Sequence, residues 1–180
     1  MSQSVNISKI TPPYLPKVLY RPRLVSLIQE NKDKKLILIL GQAAQGKTTL
    51  AASYGKISEW PYAWMRLAKD ESDPASLFHL TGQSLQQVLR EIDFSHLLSP
   101  YPAQITGPRE EIPLYREWVQ SIFKEVLIPV QIVMDGLDQL STTAPGFKFL
   151  QVLIEDSPPN VHLILLSREI PPPFLEFQHL

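Results

Sequence analysis

The chain contains no cysteine. That absence excludes a disulfide framework, a thiol nucleophile and a cysteine-built zinc site. It also suits a reducing compartment, so the cytoplasm is the expected location. An excess of either charge is missing too. Seventeen Lys and Arg stand against 18 Asp and Glu, a formal net charge of −1. Such a chain has no global attraction for nucleic acid or an anionic membrane. The short run Lys32–Lys35 includes Asp33 and reads as a solvated turn rather than a DNA contact. Long apolar stretches are absent as well. Leu36–Leu40 and Val161–Leu166 are the longest, far below the ~20 residues that span a bilayer. Met1 to Ser8 is polar and lacks the apolar centre of a signal peptide. The four histidines, His79, His96, His162 and His179, show no metal spacing.

What is present is an ordinary globular composition, 44% apolar and 19% charged over 180 residues, close to one domain. Seventeen prolines punctuate it, in clusters at 12–22, 100–113, 158–159 and 171–173. Between them the pattern predicts alternating strands and helices. The strands are Leu36–Leu40, Tyr62–Leu67, Pro129–Met134 and Val161–Leu166. The helices are Arg21–Asn31, Thr48 to about Lys56, Asp73-Pro74 to about Glu91, Pro113–Leu127 and Phe147–Glu155. Residues 1–17 read as extended and loosely held, Phe94–Ile112 as a loop, and Pro171–Leu180 as a tail without a clear assignment. Alternating elements with continuous apolar strands imply an α/β fold, a parallel sheet with helices on both faces. In such sheets ligands bind beyond the carboxyl ends of the strands. Three polar sequences lie at such ends.

The first is Gly41-Gln42-Ala43-Ala44-Gln45-Gly46-Lys47-Thr48, which fits GxxxxGK followed by Ser or Thr at every fixed position. Chance yields this in roughly one chain in a hundred of this length. Glycine lets the backbone curl so that amide N–H groups point inward at a phosphate. The helix that follows adds its dipole. Lys47 is expected to reach the β- and γ-phosphates and Thr48 to ligate Mg²⁺. Thr49 is expected to hydrogen-bond a phosphate nearer the sugar. The expected ligand is therefore a nucleoside triphosphate, ATP with Mg²⁺.

The second is Met134-Asp135-Gly136-Leu137-Asp138, an apolar strand that runs into carboxylates. Asp135 is the candidate Mg²⁺ partner. A Glu often follows that Asp in such ATPases; here the position is Gly136, and Asp138 is the next acid available to face a water. The alternative for Asp138 is a turn cap. The third is Ser167-Arg168-Glu169. Arg168 is a candidate γ-phosphate reader, or a surface Arg paired with Glu169 or Asp135.

Together these elements resemble the STAND class of signalling ATPases, in the AAA+-like (ASCE) branch of P-loop proteins, over nearly the whole chain. The lead-in Ile10-Thr-Pro-Pro-Tyr through Leu19-Tyr-Arg21-Pro22-Arg23-Leu24 looks like that of the MalT-like group of bacterial transcription activators. So does Ala63-Trp64-Met-Arg-Leu67 followed by Asp73-Pro74. The acidic strand is closer to the NACHT group, where an acid three residues past the Mg²⁺ Asp is typical. Leu166-Ser167-Arg168 resembles the sensor-1 arginine of both. The resemblance implies that Arg21 and nearby backbone line the adenine side.

The resemblance divides the chain into a lead-in (1–20), a nucleotide-binding domain (21–170) and a tail (171–180). It implies a regulatory, nucleotide-switched module with nucleoside-triphosphate hydrolysis as its candidate activity. Its partners would be nucleotide, downstream signalling domains or a second copy. Relatives continue with a fifth strand beside the first and a helical subdomain. Lacking these, the chain is expected to expose a sheet edge and to hydrolyse ATP slowly or not at all. Two other readings stay open. One is a small-molecule kinase, with Phe94–Ile112 as lid and Arg109 as its lone arginine. The other is an interaction remnant using Trp60, Tyr62, Trp64 and Trp118.

Overall fold

The computed structural model describes residues 7–15, 19–95 and 111–179. Among these, four strands, β1 (Leu36–Leu40), β2 (Tyr62–Arg66), β3 (Val130–Asp135) and β4 (Val161–Ser167), form one sheet in the order β1-β4-β3-β2. Every pairing is parallel. The apolar runs demand this burial: β3 is buried through Met134 and β4 along its whole length.

Among the described residues six helices accompany the sheet: α1 (Ile7–Ile10), α2 (Pro22–Glu30), α3 (Lys47–Gly55), α4 (Pro74–Val88), α5 (Glu111–Phe123) and α6 (Pro145–Asp156). Alternation along the strands sends successive side chains to opposite faces. Met65, Ile132, Met134, Leu163 and Leu165 join α4, α5 and α6 in one core. Trp64, Val133, Ile164 and Leu166 join α2 and α3 in a smaller one. The expected α/β architecture, with helices on both faces, is the one observed.

Local chemistry explains several boundaries. Asp73 caps α4 by accepting from the Ser76 N–H at 2.8 Å, with Pro74 as first helical residue. Pro145 opens α6 two residues ahead of the expected start, another proline at a first-turn position. β3 runs one residue further than expected, so Asp135 ends the strand itself.

Two expectations are corrected. The lead-in is not loose throughout: α1 buries Ile10, and Lys9 pairs with Asp70 at 3.0 Å and with buried Glu71 at 2.7 Å. α1 also packs against β2 and α4. Trp64 and Trp118, offered as partner-surface residues, are 1% and 3% exposed and belong to the core. The Pro171–Leu180 tail holds a 3-10 segment, Pro172–His179, with Phe174 stacked on Phe147 at 5.2 Å. Most of the expected loop Phe94–Ile112 lies outside the described residues.

Candidate functional site

All three polar sequences converge at the carboxyl end of the sheet. β1 delivers the chain to Gly41, whose N–H donates to the Ser167 carbonyl at the end of β4 (3.2 Å). The loop then turns through two left-handed residues, Ala44 at φ 62° and Gly46 at φ 84°. Left-handed turns of this kind gather backbone N–H groups into an anion-binding concavity. Gly46 is also the N-cap of α3 and supplies no side-chain cap. The first amides of α3 are thus left to an outside acceptor, with the helix dipole behind them.

The loop is braced by its own side chains. The Gln45 carboxamide oxygen accepts from the Gln42 N–H at 2.8 Å. Lys47 folds back to donate to the Gly41 carbonyl, and to that of Gln42 at 3.2 Å. Arg21, just before α2, donates to the Gln45 carbonyl at 3.1 Å. A cavity of about 180 Å³ opens beside it, lined by Leu19, Arg21, Val25, Gly46, Thr49 and Ser53. Ala43 completes the loop between Gln42 and Ala44.

Across the loop, the Thr48 hydroxyl donates to the Asp135 carboxylate, 3.1 Å and 3.0 Å from its two oxygens. Asp135 is half-buried at the end of β3. Burial raises its pKa above the ordinary carboxyl value and outweighs the Thr48 hydrogen bond and the charges of Arg66 and Lys47, which pull it down. Asp138 adds repulsion and pushes the same way. Gly136, between the two acids, has φ 95° and lies against the Leu67 carbonyl, where a Cβ would sit at 3.0 Å. Gly136 is the N-cap of the short 3-10 turn Leu137–Gln139, which carries Asp138.

Asp138 and Arg168 form an ion pair, Arg168 Nε to the carboxylate at 3.1 Å. Neither of the partners weighed for Arg168, Glu169 or Asp135, takes that place. Arg66, not singled out by the sequence, lies in register with Asp135 on the neighbouring strand. Its only sequence signal is being the one arginine in the Tyr62–Leu67 strand, at the strand's carboxyl end.

The residues fit a polyphosphate with a divalent cation. An uncapped helix start and a left-handed loop offer donors to phosphate. A hydroxyl and a carboxylate already in contact offer the hard oxygen donors that Mg²⁺ takes, usually as one or two groups completed by water and phosphate. Among the described residues no group of three or more His, Cys, Asp and Glu could hold a metal by itself. No helix among them is long and apolar enough to cross a membrane.

Known proteins resemble the chain over most of its length. The family model described as Nephrocystin 3, N-terminal matches residues 17–168. The chain is 27% identical to the HTH-type transcriptional regulator MalT of Vibrio parahaemolyticus over 170 residues, 92% of this chain and 18% of that protein. It is 25% identical to MalT of Vibrio cholerae over 176 residues, with the same two shares. These relatives bear out the MalT-like resemblance read from the lead-in and the Trp64 segment. The chain spans less than a fifth of their length.

Proposed function

The chain belongs to the Nephrocystin 3, N-terminal family, and from that premise we propose that it is a regulatory module that binds ATP with Mg²⁺ and acts as a nucleotide-dependent switch. The observation that carries this reading is the contact between Thr48 and Asp135 at the uncapped start of α3. In this proposal residues 21–170 are the nucleotide-binding unit. The amides of Gly41–Thr49 hold the phosphates, and Lys47 releases the loop carbonyls to meet them. Thr48 and Asp135 ligate Mg²⁺. Arg21 and the cavity beside Thr49 receive the base and sugar. Bound ATP would supply the charged γ-phosphate whose loss distinguishes the two states of a switch.

Slow turnover fits the same geometry. Asp138, the acid available to orient a water, is engaged by Arg168. A carboxylate bonded to a guanidinium has fewer oxygen sites left to orient a water. The likeness to MalT regulators supports a signalling or transcription-regulating context, with downstream domains or a second copy as partners.

Thermal unfolding with and without nucleotide tests the proposal. A ligand at a hundredfold excess over its Kd stabilises the folded state by about 2.7 kcal/mol. Mg-ATP and Mg-ADP should both raise the melting temperature of the wild type, and Lys47→Ala should abolish the rise. Unchanged nucleotide affinity in that variant would sink the proposal.

A further inference from the structure

β2 runs parallel to β3 in a register that places Arg66 beside Asp135, strands being roughly 4.8 Å apart. Side-chain alternation puts Arg66 on the face of Trp64, and Asp135 on the face of Val133. Trp64 and Val133 both belong to the core beneath α2 and α3. Arg66 and Asp135 therefore leave adjacent strand ends on one side of the sheet. It is the side on which α3 presents Thr48 to Asp135.

The two arginines at this end of the sheet differ in what they are already doing. Arg168 is committed to Asp138 at 3.1 Å. The Arg66 side chain is exposed and makes no hydrogen bond or ion pair with any described residue. It does not bridge to Asp135, although the two stand in register on neighbouring strands. A structural arginine beside a half-buried carboxylate would close on it. A guanidinium held near the carboxylate but not on it keeps its fork of donors for a third group, and that fork matches phosphate oxygens. The third group must be anionic and adjacent to the Mg²⁺ position, which in a bound triphosphate is the terminal phosphate.

Resting on the nucleotide reading above, we infer that Arg66 is the residue that reads the γ-phosphate and makes the module prefer triphosphate over diphosphate. Arg66 adds a charge-assisted contact that ADP cannot make. It leaves the loop contacts to the α- and β-phosphates, common to both nucleotides, unaltered.

Calorimetric titration of the full chain tests this, with Mg²⁺ and either ADP or a non-hydrolysable ATP analogue. Arg66→Gln should weaken the analogue about tenfold or more, the worth of a hydrogen bond to a charged group, while ADP binding stays within about twofold. Arg66→Lys keeps the charge without the fork and should recover part of the loss. Because the side chain is exposed, the ligand-free variants should melt with the wild type. Equal losses for both ligands, or no loss for the analogue, overturn the assignment while leaving the nucleotide reading intact. A wild type that binds neither ligand overturns both.

Discussion

The two faces of the sheet are built differently. On one, α4, α5 and α6 close over a dense aromatic cluster. Phe78 and Trp118 lie 5.1 Å apart, Tyr115 and Phe149 5.6 Å, and Trp118 and Phe149 5.8 Å. All four are at most 3% exposed. On the other face α3 brings Ala51 and Ala52 against the sheet, and β1 is only half-buried, with Leu40 43% exposed at its end. Aromatic rings bury large areas and pack at fixed geometry. Small residues bury little but let a helix lie close, and that closeness lets Thr48 reach Asp135. The difference teaches a division of labour: one face supplies stability, and the other forgoes some of it where the proposed ligand site lies. β1 makes the same point at the sheet's edge. It pairs with β4 alone among the described residues, beside an apolar groove of about 440 Å³ under α2.

If this division holds, damage to the aromatic face should cost stability and spare binding. Phe149→Ala removes a ring with no exposed surface and should lower unfolding free energy by about 3–5 kcal/mol. Urea denaturation measures the loss. Nucleotide titration of the fraction that remains folded should return the wild-type Kd. A loss below about 1 kcal/mol would break the comparison, since it would mean that the cluster collapses without cost.

A smaller effect of opposite sign is expected beside it. The Tyr115 hydroxyl is fully buried and has no hydrogen-bond partner among the described residues. Burial pushes its pKa up to about 12 from 10.0, with the charges of Glu111 and Asp73 adding to it. An unpaired buried hydroxyl costs about 1 kcal/mol or more, so Tyr115→Phe should stabilise the chain by about that amount. The folded state holds the Tyr115 proton more tightly than the unfolded one. Its contribution is therefore complete below pH 10 and is lost as pH rises toward 12. The variant should lack that alkaline loss, which melting curves between pH 8 and about 12 would show.

How far this contrast is legible in the sequence depends on the range of the interactions. The four strands and five longer helices follow from apolar periodicity, proline and capping residues, all signals within a few positions. The loop 41–48 is legible because its chemistry is contiguous. What escapes is what the fold brings from afar. The four residues of α1 are held by Lys9 reaching Asp70 and Glu71, more than sixty positions on. Asp138 and Arg168 are both visible as candidates, but their pairing follows from the β3–β4 register. Arg66 gains meaning only once β2 lies beside β3. Local pattern identifies the parts; register decides which parts meet.

The smallest stability effect bears most directly on the division of labour. In Asp135, burial outweighs the stabilising hydrogen bond and cations, so the folded pKa is raised above 3.8. The folded state then favours the protonated acid. Its contribution to stability is full below pH 3.8 and falls as pH rises through the folded value. At neutral pH the ionised carboxylate is thus a cost to the ligand-free protein. Asp135→Asn should remove it, giving a small rise in melting temperature that fades on acidification. With Mg²⁺ and nucleotide the order should reverse if Asp135 is the proposed metal ligand, because the wild type gains the stabilisation of a bound ligand that the variant lacks. Melting curves at two pH values, with and without Mg-nucleotide, contain the whole comparison. If the Asp135→Asn variant melted below the wild type in the absence of ligand, Asp135 would be serving the fold, and the contrast between a stabilising face and a ligand face would fail at the residue where it matters most.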